Sequence, residues 1–228
     1  MLKILTPVLI IFGCFIFLLV AEAVLAILGN KPYPHNPDGK PTNYGQSGKL
    51  LKYVVMGDST AAGQGADYKK GIAVGSAQHL AKEYQVTLTN FSKSGSVTQD
   101  ILKIQLKKAI HSNPDIVMIS VGGNDVTHLT SVNSIYHDTA KIVSELIKNN
   151  CNVKIVLTAS PDMGSPPKLL QPLRHFAGIR TGQINKSFYK VIQENSLTLA
   201  PIAEKTGTLF RKDTSLFSTD KFHPNEEG

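Results

Sequence analysis

Four short segments of this chain carry residue types that could perform acyl transfer. In chain order they are 57–60 (Gly-Asp-Ser-Thr), 92–95 (Ser-Lys-Ser-Gly), 122–125 (Gly-Gly-Asn-Asp) and 220–224 (Asp-Lys-Phe-His-Pro). That chemistry needs a hydroxyl nucleophile, donors for an oxyanion, and an imidazole with a carboxylate beside it. Each segment alone is a weak signal. Their common order, with two of them directly after apolar runs, predicts one site built around a serine nucleophile.

Ser59 is the predicted nucleophile. It follows the apolar run 53–56 closely, so its hydroxyl should stand at the carboxyl end of a strand and near the start of the next helix. A helix start offers free backbone N–H groups to an anion. The alternative is a capping role, for which Asp58, Ser59 and Thr60 all qualify. The chain contains no Gly-x-Ser-x-Gly segment, which disfavours an ordinary α/β-hydrolase.

His223 is the predicted general base, oriented by Asp220. The two residues are three apart, so the carboxylate can bond one imidazole nitrogen and fix the tautomer that leaves the other nitrogen facing the serine. The alternative is a surface turn led by Pro224. Among seven histidines His128 is the nearest rival, but we expect its neighbour Asp125 to hold the loop by bonding backbone amides.

Three donors are predicted for the oxyanion: the backbone N–H groups of Ser59 and Gly95 and the side-chain amide of Asn124. Glycine would allow close approach at position 95. The alternative is that Gly95 and the Gly122-Gly123 pair serve only loop geometry. No histidine and cysteine cluster with metal-ligand spacing occurs in the sequence, so we predict no metal site.

The elements that must position these residues alternate between strand and helix patterns. Apolar runs at 53–56, 86–91, 116–121 and 153–158 are separated by helical apolar faces, which are 73–84, 132–146 and 184–192. This alternation predicts a parallel sheet covered on both faces, with a last short strand at 208–210. Ligands of such sheets bind outside the carboxyl ends of the strands, where Ser59, Gly95 and Asn124 would lie.

The first 28 residues are predicted to be a membrane-targeting segment. Residues 4–28 carry only Glu22 as a charge, and a spanning helix needs ~20 mostly apolar residues. We expect an uncleaved signal anchor. The alternative is a cleaved signal peptide, because Ala21-Glu22-Ala23 has the small-x-small form of a processing site. Both place the rest of the chain outside the cytoplasm, membrane-bound in the first case and secreted or periplasmic in the second.

The remainder divides into a Pro- and Gly-rich linker at 29–49 and one domain at 50–228. With 228 residues and 42% hydrophobic composition, the chain can bury one substantial core. Cys14 lies in the leader and Cys151 in the domain, so no disulfide framework is expected. The net charge of +7 would suit anionic partners such as lipid headgroups or acidic glycans, but we expect the lysines to form a solvated surface. No basic cluster interleaved with aromatic residues occurs, so we predict no nucleic-acid partner.

The four segments resemble the signature blocks of the SGNH hydrolase family, the GDSL-type esterases and lipases. The resemblance runs from about Lys52 to the C-terminus and implies a flavodoxin-like three-layer α/β/α fold. It also implies ester hydrolysis through an acyl-enzyme without a cofactor, and oxyanion donors at Ser59, Gly95 and Asn124. Thr60 replaces the leucine of many members. Because family members usually continue into a closing helix, we expect that the chain, which stops five residues after His223, is truncated at its C-terminus.

The substrate is left open between two kinds of ester. These are O-acetyl groups on cell-envelope polysaccharide and acyl chains of lipids, and a membrane anchor suits either. The segment 163–176, rich in Pro, Gly and Leu, is expected to form either a lid over the pocket or a plain surface loop. The alternative to an enzyme is a non-catalytic module of the same fold that binds envelope glycan or lipid.

Overall fold

The computed structural model describes residues 2–28, without the side chains of 2–6 and 27, and residues 36–228. Its centre is one six-stranded sheet. The strands are β1 (Thr42–Tyr44), β2 (Lys49–Gly57), β3 (Tyr84–Asn90), β4 (Ile116–Ser120), β5 (Lys154–Leu157) and β6 (Thr198–Leu199). They lie in the order β1-β3-β2-β4-β5-β6, and only β1 is antiparallel to its neighbour among these described strands.

The five parallel strands confirm the predicted flavodoxin-like fold. If β2 is counted as strand 1, the order of these five strands across the sheet is 2-1-3-4-5. Strand β3 is added on one side of β2 and strand β4 on the other, so the strand order reverses between β2 and β4. Ligands of doubly wound sheets bind at this switch point, outside the carboxyl ends of the strands. The first and third predicted segments follow β2 and β4 directly, so the topology alone brings Ser59 and Asn124 to the same crevice.

Helices surround the sheet. They are α1 (Leu2–Leu28), α2 (Ser59–Ala62), α3 (Ile72–Leu80), α4 (Thr98–Asp100), α5 (Leu106–His111), α6 (Gly123–Thr127), α7 (Val132–Asn149), α8 (Leu173–Glu194) and α9 (Ile202–Lys212). A π-helical turn, Ile101–Gln105, joins α4 to α5, and 3₁₀ turns occupy Tyr68–Lys70 and Thr214–Leu216.

Alternate residues of β2 enter two different cores. Val54 and Met56 belong to a large apolar cluster with α5, α7 and α8, whereas Tyr53 and Val55 belong to a smaller one with α3. Successive side chains of a strand point to opposite faces, so a strand covered on both sides must be apolar throughout. The helical faces predicted for 132–146 and 184–192 are confirmed, since both contribute buried residues to the large cluster.

The strand predicted at 208–210 is wrong, because these residues belong to α9. Ile202, Thr206 and Phe210 recur every four residues, which puts them on one helical face, and Phe210 is buried. The sheet instead ends with the two-residue strand β6, which has too few residues to show an alternating pattern.

Part of the segment predicted as a linker is folded onto the domain. Strand β1 pairs with β3, and the Asn36 side chain accepts a hydrogen bond of 2.9 Å from the backbone N–H of Ser94. Residues 29–35 of that linker lie outside the described residues. The sequence did not reveal β1, because its three residues are polar or half-exposed and carry no apolar alternation.

Helix α1 covers the segment that the sequence predicts to be membrane-targeting. Residues Pro7–Ala26 are long and apolar enough to cross a membrane, a criterion that a signal sequence also meets. Most of its described side chains are exposed.

Candidate active site

The turn after β2 presents Ser59 at the first position of α2. Asp58 caps this short helix, because its Oδ1 accepts a 2.9 Å hydrogen bond from the backbone N–H of Thr60. Gly57 is required where β2 meets β4, since a Cβ at this position would lie 2.1 Å from the carbonyl oxygen of Ser120. Of the three residues that could cap this helix, Asp58 performs the capping, and the Ser59 hydroxyl is left free for another partner.

That partner is the imidazole of His223. Ser59 Oγ lies 2.9 Å from His223 Nε2, and His223 Nδ1 lies 2.6 Å from Asp220 Oδ2. The structure thus joins the three residues in one hydrogen-bonded chain. The second oxygen of Asp220 accepts bonds from the Ser218 hydroxyl and from the backbone N–H groups of Phe222 and His223. These bonds orient the carboxylate before it meets the imidazole.

The same contacts keep Asp220 ionised. Its burial would raise its pKa, but the hydrogen bonds from the His223 side chain, the Ser218 hydroxyl and the two backbone N–H groups outweigh burial, and the pKa lies well below its usual range. Asp220 therefore carries its negative charge throughout the neutral range. A carboxylate in that state can stabilise an imidazolium that forms beside it.

Asp58 has the opposite electrostatic environment. Burial raises its pKa to about 6, against the hydrogen bond from Thr60 N–H, and the nearby charge of Asp125 adds to the rise. Two carboxylates close to the same imidazole thus have pKa values displaced in opposite directions. Only Asp220 is bonded to His223.

The predicted oxyanion donors line the same space as Ser59. Asn124, in α6, donates from Nδ2 to the carbonyl oxygen of Ser96 at 3.0 Å. An amide nitrogen carries two hydrogens, so this bond orients the side chain and leaves one N–H for a ligand. Gly95 has a φ of +84°, and a Cβ there would meet no atom within 4 Å, so its backbone borders open space. Both residues line a cavity that Ser59 and His223 also line.

Two buried side chains, Asp125 and Gln105, hold the loops of the site together through hydrogen bonds. The sequence predicted this role for Asp125 but not for Gln105. Asp125 accepts bonds from the backbone N–H and hydroxyl of Thr98, which confirms its predicted role as a loop holder. Gln105 was missed. It bonds both the N–H and the carbonyl of Gly57, at 2.8 and 2.9 Å, and donates to Ser96 Oγ.

Gln105 left one signal in the sequence. It lies four residues from Ile101 and from Ala109, so a polar residue stands on an otherwise buried apolar stripe. A buried amide in such a position needs hydrogen-bonding partners. Those partners here are the end of β2 and the loop of Gly95, the two segments that the site must hold together.

Ser59 and His223 lie between two cavities. The smaller, about 130 Å³, extends toward Met163 and Phe210. The larger, about 680 Å³, extends toward Leu169, Leu173 and α1. The segment 163–176 therefore lines both cavities. Asp162, which directly precedes this segment, forms a bidentate ion pair with Arg211 of α9, at 2.6 and 3.0 Å.

His128, the alternative candidate for the general base, lines the larger cavity, whereas the bond to Ser59 is made by His223.

Known proteins resemble this chain in sequence. The model of the GDSL-like Lipase/Acylhydrolase family matches residues 55–228. A GDSL-like esterase of Mycobacterium tuberculosis is 25% identical over 179 residues, which cover 75% of this chain but only 56% of that protein.

Solved structures share the fold. The crystal structure of TesA has a TM-score of 0.62 and 20% identity, covering 77% of this chain and 89% of that one. A lipase/acylhydrolase from Enterococcus faecalis has a TM-score of 0.60 and 21% identity, covering 77% of this chain and 87% of that one.

Proposed function

The chain belongs to the GDSL-like lipase/acylhydrolase family, and from that premise we propose that it is a serine esterase that hydrolyses carboxylic esters through an acyl-enzyme. Ser59 is the nucleophile, His223 the general base and acid, and Asp220 the residue that orients the imidazole. The oxyanion donors are the backbone N–H groups of Ser59 and Gly95 and the side chain of Asn124. The observation that carries the proposal is the pair of hydrogen bonds, 2.9 and 2.6 Å long, from Ser59 through His223 to Asp220.

In the first half-reaction Ser59 Oγ attacks the ester carbonyl carbon. Its proton passes to His223 Nε2, and the carbonyl electron pair moves to oxygen, where the three donors stabilise the charge. The tetrahedral species collapses by breaking the bond to the alcohol oxygen. His223 returns the proton to that oxygen, the alcohol leaves, and the acyl group stays on Ser59.

In the second half-reaction water takes the place of the alcohol. His223 Nε2 accepts a proton from water as the water oxygen attacks the acyl carbon, and the same donors stabilise the second oxyanion. Collapse releases the carboxylic acid, and the proton on His223 returns to Ser59 Oγ. Asp220 remains ionised throughout, in keeping with its lowered pKa.

The substrate classes that we propose are lipid acyl esters and O-acetyl groups of envelope glycan. The protein would reach either from the outer side of the cell membrane, held by the apolar helix α1, or from the periplasm or medium if the leader were removed. Partners would be the ester substrate and the membrane; the exposed lysines lack the interleaved aromatic residues of a nucleic-acid site.

Labelling with a fluorophosphonate probe tests the proposal directly. The probe should phosphonylate Ser59 of the full chain in detergent, and mass spectrometry should place the adduct on that residue. The Ser59→Ala variant should remain unlabelled. A panel of p-nitrophenyl esters of increasing acyl length then gives the acyl preference. A folded protein that is neither labelled nor active on any ester would instead support the non-catalytic binding module.

A further inference from the structure

The apolar helix α1 packs on the catalytic domain through one face of its C-terminal half. The less exposed residues of its C-terminal half are Leu19, Ala21, Glu22, Ala23 and Ala26, and all of these except Ala21 recur at helical spacing. One turn earlier, Phe15 makes an edge-on ring contact with Phe176 of α8, with centroids 6.1 Å apart. The opposite face, which includes Val24 and Leu25, is exposed. One side of helix α1 therefore contacts the domain, and the other side is exposed and apolar, as a lipid-facing surface would be.

Glu22 fixes this docking. It is only 5% exposed, and its carboxylate accepts a 3.0 Å hydrogen bond from the backbone N–H of Leu173, the first residue of α8. A carboxylate is expensive within an apolar helix, but the positive end of another helix stabilises it. Cleavage around Ala21-Glu22-Ala23 would disrupt this contact. The bond therefore favours retention of α1 as part of the working protein.

The docked helix forms one wall of the larger cavity at Ser59. Ala23 and Ala26 line that cavity from one side, and Ser59 and His223 line it from another. The surfaces between them are largely aliphatic or aromatic and come from Leu169, Leu173, Phe176 and Ala177. A space of about 680 Å³ with such walls suits an aliphatic chain rather than a sugar ring, whose hydroxyl groups need hydrogen-bonding partners.

The surface around this cavity is also apolar. Leu129 and Phe176, which line the cavity, are 72% and 45% exposed, and Leu170 and Ile179 are about half exposed next to the lining residues Leu169 and Arg180. Exposed apolar patches of this kind are found where a protein meets a membrane or a partner. Here Phe176 of the patch contacts Phe15, so the patch lies beside the apolar stretch Pro7–Ala26 itself.

From these contacts we infer that α1 is a working wall of the acyl-binding cavity, and that the substrate is a long-chain ester lipid taken directly from the membrane that α1 spans. This inference rests on the proposed esterase function. The lipid chain lies between α1 and α8, against Ala23 and Ala26, and its ester carbonyl reaches Ser59. The small side chains of Ala23 and Ala26 keep this space open, so α1 has two functions, anchoring the enzyme and shaping its specificity.

Filling the cavity from α1 tests the inference. The full-chain protein is reconstituted in vesicles of ether-linked phosphatidylcholine, which contain no acyl ester, and is given p-nitrophenyl acetate and p-nitrophenyl dodecanoate. Each methylene that is kept out of an apolar site lowers kcat/KM about fourfold. Ala26→Trp should therefore lower the dodecanoate-to-acetate ratio of kcat/KM by at least tenfold. The matched control Val24→Trp, on the exposed face of the same helix, should leave the ratio at the wild-type value.

The outcomes separate the inference from the function on which it rests. An unchanged ratio in Ala26→Trp, with Ser59 still labelled by a fluorophosphonate, would overturn the role of α1 and leave the esterase intact. A wild-type protein that hydrolyses neither ester and is not labelled would overturn the function itself. If Ala26→Trp does not fold, the smaller change Ala26→Val decides, since it must shift the ratio in the same direction. A wild-type preference for acetate over dodecanoate also contradicts the inference.

Discussion

His223 Nε2 lies 2.9 Å from Ser59 Oγ, although 164 residues separate them in the chain. The serine is held by the turn between β2 and α2, and the histidine lies in a C-terminal segment that makes four hydrogen bonds to its own Asp220. The bond thus joins two segments that are each ordered independently. A hydroxyl bonded to an imidazole in this way has the geometry that general-base activation of a nucleophile uses.

The first prediction follows from this bond. Ser59→Ala and His223→Ala should each reduce ester hydrolysis to background, and the double variant should be no worse than either, because the two side chains act as a unit. Initial rates with a short p-nitrophenyl ester measure the effect. Ser144→Ala, at an exposed position of α7, serves as the control. Wild-type turnover by folded Ser59→Ala protein would exclude Ser59 as the nucleophile.

Asn124→Ala should leave a slow enzyme. Loss of one oxyanion donor typically lowers kcat by ~100 to 1,000-fold with little change in KM. The variant also loses the bond to the Ser96 carbonyl, so its unfolding midpoint should be measured alongside its kinetics. Asn133→Ala, an exposed change in α7, controls for loss of an amide. An Asn124→Ala enzyme with wild-type kcat would remove the residue from the oxyanion site.

Sequence alone predicted the fold and placed Ser59 and Asn124, because both depend on local patterns. Apolar runs identify β2 and β4, and parallel topology then sends the residues after them to one crevice. The pairing of Ser59 with His223 rested on the chemistry that acyl transfer requires of the four segments together, since nothing local links positions so far apart. Asp220 and His223, by contrast, were paired from their spacing alone.

What the sequence did not reveal depends on packing between distant segments. Gln105 reaches Gly57 across 48 positions, and Glu22 reaches Leu173 across 151, so neither contact has a local pattern. The prediction of a strand at 208–210 was wrong for a local reason. Three residues of mixed polarity carry too little periodicity to distinguish a strand from the last turns of α9.

Topology can be tested independently of chemistry. Alkaline phosphatase, which is active only outside the cytoplasm, should be active when fused to the C-terminus of the chain, whereas a fluorescent protein that folds only in the cytoplasm should be dark there. Fusions of each reporter to the N-terminus provide the reversed control. The opposite pattern would place the domain inside the cell.

Gln105→Leu should weaken both the fold and the enzyme. The change leaves the buried N–H of Gly57 without its side-chain acceptor, at a cost of ~1 to 3 kcal/mol for an unsatisfied group, whereas the Gly57 carbonyl keeps the hydrogen bond from the Lys93 N–H. The free energy of unfolding in urea should therefore fall by roughly 1 to 3 kcal/mol. Gln99→Leu, an exposed glutamine one turn and a half earlier, should change it little.

Kinetics show whether Gln105 also positions the site. Because its bonds join the end of β2 to Ser96, the residue whose carbonyl orients Asn124, kcat of Gln105→Leu should fall at temperatures where the variant is still folded. KM should change much less, since Gln105 does not line either cavity. Destabilisation with unchanged kcat would restrict Gln105 to a purely structural role.

The last prediction concerns pH and Asp58. Burial raises the pKa of this carboxyl to about 6, above its ordinary value of 3.8, so the folded protein holds the proton more tightly than the unfolded chain does. The resulting contribution to stability is complete below pH 3.8 and is lost as pH rises to about 6, by roughly 3 kcal/mol in all. Asp220, whose pKa is lowered, acts with the opposite sign and only below pH 3.8, where protonation removes its contribution.

Asp58→Asn isolates this effect, because the amide oxygen can still cap α2 through Thr60 N–H but carries no titrating proton. The stability of Asp58→Asn minus that of the wild type should therefore increase between pH 4 and 6 and level off above that range, as measured by urea unfolding at each pH. Asp67→Asn makes the matched control, since Asp67 caps Tyr68–Lys70 through the same kind of bond but is exposed. A difference between wild type and Asp58→Asn that stays constant from pH 4 to 6 would show that Asp58 is already ionised in the folded protein throughout that range.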